Sequence, residues 1–133
     1  MGKVTHEVAQ NEINSWLDKK KVFASIRDAN KESIENLVEA VVEGVLTLDS
    51  SSFELTQILL FPLGEGGVTK SLVYKARLND NLLKPHLKNV ELKDLEGRFA
   101  AMTAALTGET KGVYLAMDTA DTRITKSILV FFL

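Results

Sequence analysis

Cysteine is absent, so disulfides, thiol nucleophiles and cysteine-held metals are excluded by composition. An intracellular site is compatible with that lack and is not proven by it. Excess charge of either sign is also missing. Sixteen basic residues face 18 acidic ones, for a formal charge of −2 at pH 7, and no overall field gathers nucleic acid or an anionic membrane. Long apolar runs are lacking too: Ile58 to Leu63 and Ile128 to Leu133 fall far short of the roughly 20 residues that a bilayer span requires. The start of the chain, with Glu7 and Glu12, holds no apolar core of a secretory signal. After Met1-Gly2, His6 stands where a myristoylation site has Ser or Thr. A soluble chain is the expectation, with neither nucleic acid nor membrane among its partners.

What is present suits one domain. The 133 residues suffice to bury most of a single core, and 45% apolar with 26% charged residues is the balance of a globular protein rather than a disordered one. Three regions follow one another: a helical N-terminal element over 1–44, a hairpin region over 45–78 and a helical C-terminal region over 79–133.

Val8 or Ala9, Ile13, Trp16 and Leu17 share one side of a helix over Val4 to Lys20. Lys19, Lys20 and Lys21 close it at the negative end of the helix dipole, and read as a solvated face rather than a basic patch. A second helix, capped by Asp28 or Asn30, carries Ile34, Leu37, Val38, Val41, Val42 and Val45 until Gly44 loosens its end. Val22 to Arg27, between the two, reads as a loop or a short strand.

The period then changes to two. Leu46 and Leu48 suggest a short strand, with Asp49-Ser50-Ser51-Ser52 as turn chemistry behind it. Phe53, Leu55, Leu59, Phe61 and Leu63 alternate, with Gln57 the polar member of that register. Beyond Gly64-Glu65-Gly66-Gly67, the residues Val68, Leu72, Tyr74, Ala76 and Leu78 continue the alternation, so the segment reads as a hairpin with one buried side. Pro62 ends its strand, where no ladder donor is needed.

Helical spacing returns after Leu78. Asn79 or Asp80 caps a short turn holding Leu82, Leu83 and His86, with Pro85 in a first turn and Asn89 at the end. A helix over about Glu91 to Thr107 aligns Leu92, Leu95, Phe99, Met102 and Leu106 and stops at Gly108. A short helix with Val113, Tyr114 and Met117 precedes the last one, capped by Asp118 with Asp121 in its first turn and Ile124, Ile128, Leu129, Phe131 and Phe132 on its apolar face. The fold class expected is α+β: a small antiparallel sheet of two or three strands over about 45–78, packed by two N-terminal and three or four C-terminal helices.

Chemistry-bearing patterns are scarce. His6 and His86 lie in different elements, without the spacing that sets zinc ligands on one helix face, and the serines form no nucleophile elbow. Gly64 to Ser71 resembles a phosphate loop superficially, yet Thr69 occupies the glycine position before Lys70 and a strand follows. The offset of Asp118 and Asp121 is what capping produces, rather than a carboxylate pair. Neither enzymatic activity, metal nor cofactor is expected.

Several of these motifs occur together in one known family. Phe61-Pro62-Leu63, the hairpin ending in Tyr74-Lys75-Ala76-Arg77, then Leu95-Glu96-Gly97-Arg98, Ala104-Ala105-Leu106-Thr107-Gly108 and Met117-Asp118-Thr119-Ala120-Asp121 resemble the tail assembly chaperones of long-tailed bacteriophages, over roughly Phe53 to Leu133. Met117 stands where that family has leucine, and the first 50 or so residues exceed its smallest members. The resemblance implies a non-enzymatic protein of the infected host's cytoplasm that binds the tape-measure protein, keeps that long helical chain soluble and helps recruit the tail-tube subunit. Self-association is a further expectation. A structural virion component, such as an adaptor or completion protein, and a phage-encoded inhibitor of a host protein are the alternatives. The surplus of apolar residues in the hairpin and terminal helix places the expected partner surface at Phe61, Tyr74, Ile128, Phe131 and Phe132, although Phe131 and Phe132 read first as buried core aromatics and only second as a docking peptide.

Overall fold

The structure is a computed structural model that describes residues 3–133; the Met1-Gly2 part of the myristoylation reading lies outside them. It is an α+β fold in which helices from both ends of the chain pack over a small antiparallel sheet.

Helix α1 (His6–Lys19) starts where the Thr5 hydroxyl accepts from the Val8 N–H at 3.2 Å, and it buries Ala9, Ile13, Trp16 and Leu17. Val8 faces outward. The segment after it is corrected: helix α2 (Ala24–Ala29) stands where a loop or short strand is expected. Its apolar residues stay exposed, so no amphipathic stripe announced it; Arg27 holds it in place by donating to Val22 O (3.1 Å) and to Asp18 Oδ1 (2.8 Å). The N-terminal element therefore has three helices among the described residues, not two. Helix α3 (Lys31–Val42) follows Asn30 and buries Leu37, Val38, Ala40 and Val41.

Strands β1 (Leu46–Leu48), β2 (Leu55–Leu63) and β3 (Thr69–Tyr74) form the sheet in that order, with Leu46, Gln57 and Leu72 in one row across it. Phe53 is not part of β2: it adopts a positive φ of 60° in the turn before it. β3 ends at Tyr74, short of Ala76 and Leu78, because the next backbone N–H, that of Lys75, donates to Leu106 O at 3.0 Å instead of continuing the ladder.

Helix α4 (Asp80–Leu83) is capped by Asn79, and Pro85 lies in the first turn of the short 3-10 segment after it. Helix α5 (Leu95–Thr107) begins later than its sequence suggests, where Asp94 Oδ1 accepts from the Gly97 N–H at 2.9 Å. A Cβ at Gly97 would run into that carboxylate, which explains a glycine in a first turn. Leu92 and Leu95 are corrected as well. They are 87% and 55% exposed, because Leu92 precedes the helix and Leu95 opens it, ahead of the buried run from Phe99 to Leu106. Gly108, at φ 77°, ends α5 in the left-handed region. Helices α6 (Lys111–Ala116) and α7 (Thr119–Leu129) complete the chain, with a last 3-10 turn that seats Phe131 edge-on against Trp16, ring centres 5.9 Å apart. One apolar core thus joins α1, α3, the inner sheet face, α5 and α7.

Candidate interaction surface on the hairpin and the groove beside it

The pairing of β2 with β3 is interrupted. Ile58 stands opposite Ser71 and Leu63 opposite Thr69, so Leu59 to Pro62 together face Lys70 alone. A bulge of that size leaves backbone N–H groups without ladder partners. Pro62 has none to offer, and those of Leu60 and Phe61 are met from outside the sheet. Asp121 Oδ1 accepts from the Leu60 N–H at 2.8 Å and Asp121 Oδ2 from the Phe61 N–H at 3.0 Å.

Asp121 is fully buried, and a carboxylate held away from water is costly unless hydrogen bonds compensate for the lost hydration. It occupies the third position of α7, where the sequence makes it a dipole-favoured first-turn acid. That reading is incomplete: its carboxylate points into the fold and fixes the bulge. Asp118 behaves as expected, its Oδ1 accepting from the Ala120 N–H at 2.9 Å as the cap of α7.

Behind the bulge lies a closed polar cluster. Gln57 Nε2 donates to Asp121 O at 3.0 Å, the Tyr74 hydroxyl donates to Gln57 Oε1 at 2.7 Å, and Thr125 Oγ1 lies 2.9 Å from the Tyr74 oxygen. Burial pushes the Tyr74 hydroxyl well above the ordinary tyrosine range, with the nearby Asp121 charge adding to it and the Thr125 hydrogen bond opposing it. The cluster ties β2, β3 and α7 together and leaves no buried side-chain nitrogen or oxygen unpartnered among the described residues.

The consequence is on the outside. Anchored by its backbone, the bulge turns Leu60 and Phe61 toward solvent, 51% and 56% exposed, and Val68 across the glycine turn is 74% exposed. Leu60 also walls a groove of about 500 Å³ between α3 and α7, with Ala40, Val45, Ala120 and Ile124 as its apolar lining. Glu39, Glu43 and Arg123 supply its charged lining.

Of the five residues expected to meet a partner, the structure places Phe61 on this surface and the others elsewhere. Tyr74, Ile128 and Phe131 belong to the core, and Phe132 is half-buried against Trp16. They are corrected to structural roles, because Tyr74 fills the inner sheet face, the apolar face of α7 is used up against α3, α5 and β2, and the last turn seats Phe131 and Phe132 on Trp16. The sequence does not offer Leu60, Val68, Ala40 or Ile124 as partner residues; Val68, expected on the buried side of the hairpin, lies outside it because it belongs to the glycine turn before β3. The glycine turn contains a single 3-10 turn and leads into β3 rather than a helix, so no helix N-terminus completes a phosphate cradle there. His6 lies 3.5 Å from Glu35 between α1 and α3. Among the described residues no group of three or more His, Asp and Glu side chains is gathered as a metal would need, and no helix is long and apolar enough to cross a membrane.

Compared with protein-family models, with curated proteins and with solved structures, the chain has no match.

Proposed function

We propose that the chain works without catalysis, as a phage tail assembly chaperone that takes an amphipathic helical segment of a tape-measure protein into the groove between α3 and α7. The observation that carries this reading is the buried Asp121 carboxylate bound to the Leu60 and Phe61 N–H groups. A buried charge is maintained there to hold two large apolar side chains in water, beside an apolar groove. A helix laid in such a groove buries side chains at its i, i+3, i+4 and i+7 positions, and Leu60 and Phe61 would close over them. Glu39, Glu43 and Arg123 suit a partner whose flanks carry both signs of charge. The resemblance carried by Phe61-Pro62-Leu63 and Met117-Asp118-Thr119-Ala120-Asp121 supplies the identity of that partner and the host cytoplasm as the place of action. In this reading the second acidic residue of the latter motif is a positioning residue for the first.

Co-expression with overlapping segments of the same phage's tape-measure protein, followed by size-exclusion chromatography, tests the proposal. At least one segment that is insoluble alone becomes soluble and co-elutes with the wild type, and does neither with Leu60→Asp. If no segment is solubilised or co-elutes, the chaperone reading fails.

A further inference from the structure

A second hollow, of about 290 Å³, lies on another part of the surface, where the end of α1 meets the β1–β2 turn and the segment after β3. Lys19, Lys20, Ser51, Ser52, Phe53 and Arg77 line it, with Ala76 beside them, and among the described residues no carboxylate does. Lysines at the end of α1 are accounted for by the helix dipole. The dipole does not account for the position of Lys20, which is half-buried with its Nζ 3.3 Å from the centre of the Phe132 ring and 5.5 Å from that of Trp16. Nor does it explain why Arg77 approaches from beyond β3. Burial first, and the Arg77 charge second, lower the Lys20 pKa to about 8. Lys20 therefore rests on two aromatic faces and shares the hollow with a second cation, Arg77, with no carboxylate among the described residues that line it.

Two acids close by in the chain, Asp18 and Asp49, are engaged elsewhere. Asp18 pairs with Arg27 at 2.8 Å, and Asp49 Oδ1 accepts from the Ser51 and Ser52 N–H groups at 2.8 and 2.9 Å. That turn fixes both serines at the hollow. The Ser52 oxygen accepts from the Glu54 N–H at 3.2 Å, which leaves its own proton free to donate.

We infer that this hollow binds a phosphate dianion, free or at the end of a small ester, with Lys20 and Arg77 as its charged contacts and the Ser51 and Ser52 hydroxyls as neutral donors. Three positive charges around one hollow exceed what a monoanion would balance, and a dianion with several acceptor oxygens uses both the cations and the hydroxyls. The space is larger than inorganic phosphate alone needs. Phe53 and Ala76 give the remainder an apolar wall that a short carbon chain would fill.

The test is an NMR titration of the full chain with inorganic phosphate and, separately, with glycerol phosphate, against sodium chloride at matched ionic strength. The amide signals of Ser51, Ser52 and Phe53 shift and saturate with a phosphate ligand and not with chloride. Tighter binding of the ester assigns the site to a small phosphomonoester; equal or tighter binding of inorganic phosphate assigns it to the free ion. Arg77→Gln and Lys20→Gln each weaken binding by about tenfold or more, while Lys70→Gln, an exposed cation of β3 outside the hollow, leaves it unchanged. Absence of saturable shifts with either ligand overturns the inference. So does an equal response to chloride, or an Arg77→Gln variant that is folded and binds as the wild type does.

Discussion

Asp118 and Asp121 share one short motif and one helix turn, yet their surroundings give them different work. Asp118 is exposed and caps; its replacement by Asn is expected to be nearly neutral, and by Ala to cost about 1 kcal/mol. Asp121 is buried and holds two backbone donors of another element. Asp121→Ala leaves both without their acceptor and is expected to cost about 2 to 4 kcal/mol. Denaturant melts of the three variants check this contrast, and equal costs for the two alanine substitutions would contradict it. The capping role was legible in the sequence because a cap is local. The bulge role was not, because its partner is 61 positions away. Gln57 did leave a signal, as the polar residue in an otherwise apolar alternation; its neighbours in the buried cluster, Tyr74 and Thr125, lie too far along the chain for any spacing to reveal them.

Elements were read best where their ends are marked by chemistry that acts within a few residues. Asn79, Gly108 and Asp118 end or begin helices where the sequence places them, and the hairpin and its glycine turn follow from alternation and composition. Helix α2 was missed because Phe23 offers no side-chain cap and the helix buries nothing. The start of α5 was misplaced because Leu92 and Leu95 extend its apolar spacing, although Asp94 caps the helix between them. That correction predicts unequal sensitivities on what looks like one stripe. Phe99→Ala is expected to cost about 3 to 5 kcal/mol through lost burial and a cavity, whereas Leu92→Ala stays within about 0.5 kcal/mol. Urea melts distinguish them, and a loss at Leu92 comparable to that at Phe99 would restore the longer helix.

At the scale of the whole molecule, the α+β class was legible, and the placing of its apolar surface was not. Periodicity identifies which residues share a face and is silent on which faces other elements cover. The terminal segment therefore reads both as core and as partner surface, and the structure makes it core: Ile128 and Phe131 are buried, Phe131 on Trp16 of α1. The same closure sets a pH dependence. Lys20, lowered from 10.5 to about 8, holds its proton less tightly folded than unfolded. The unfolded chain then binds more protons above about pH 8, and stability rises with pH toward about 10. Beyond that, Tyr74 and Tyr114, both raised from 10.0 chiefly by burial, keep their protons in the fold while the unfolded chain loses them, so stability falls. Melts in phosphate-free buffer at about pH 7, 9 and 11 are expected to show the rise and the fall. Lys20→Gln removes the rise alone, and a rise that persists in this variant would assign it to another group.

The central claim is that Leu60 and Phe61 are held out to meet a partner, and calorimetric titration of a co-eluting tape-measure segment tests it most directly. Phe61→Asp, at an exposed position outside the core, is expected to remain folded and to weaken binding by about a hundredfold, as loss of an apolar anchor does. Leu92→Asp, equally apolar and more exposed but remote from the groove residues in the chain, is expected to bind as the wild type does. A folded Phe61→Asp variant that retains wild-type affinity for the segment would contradict the account.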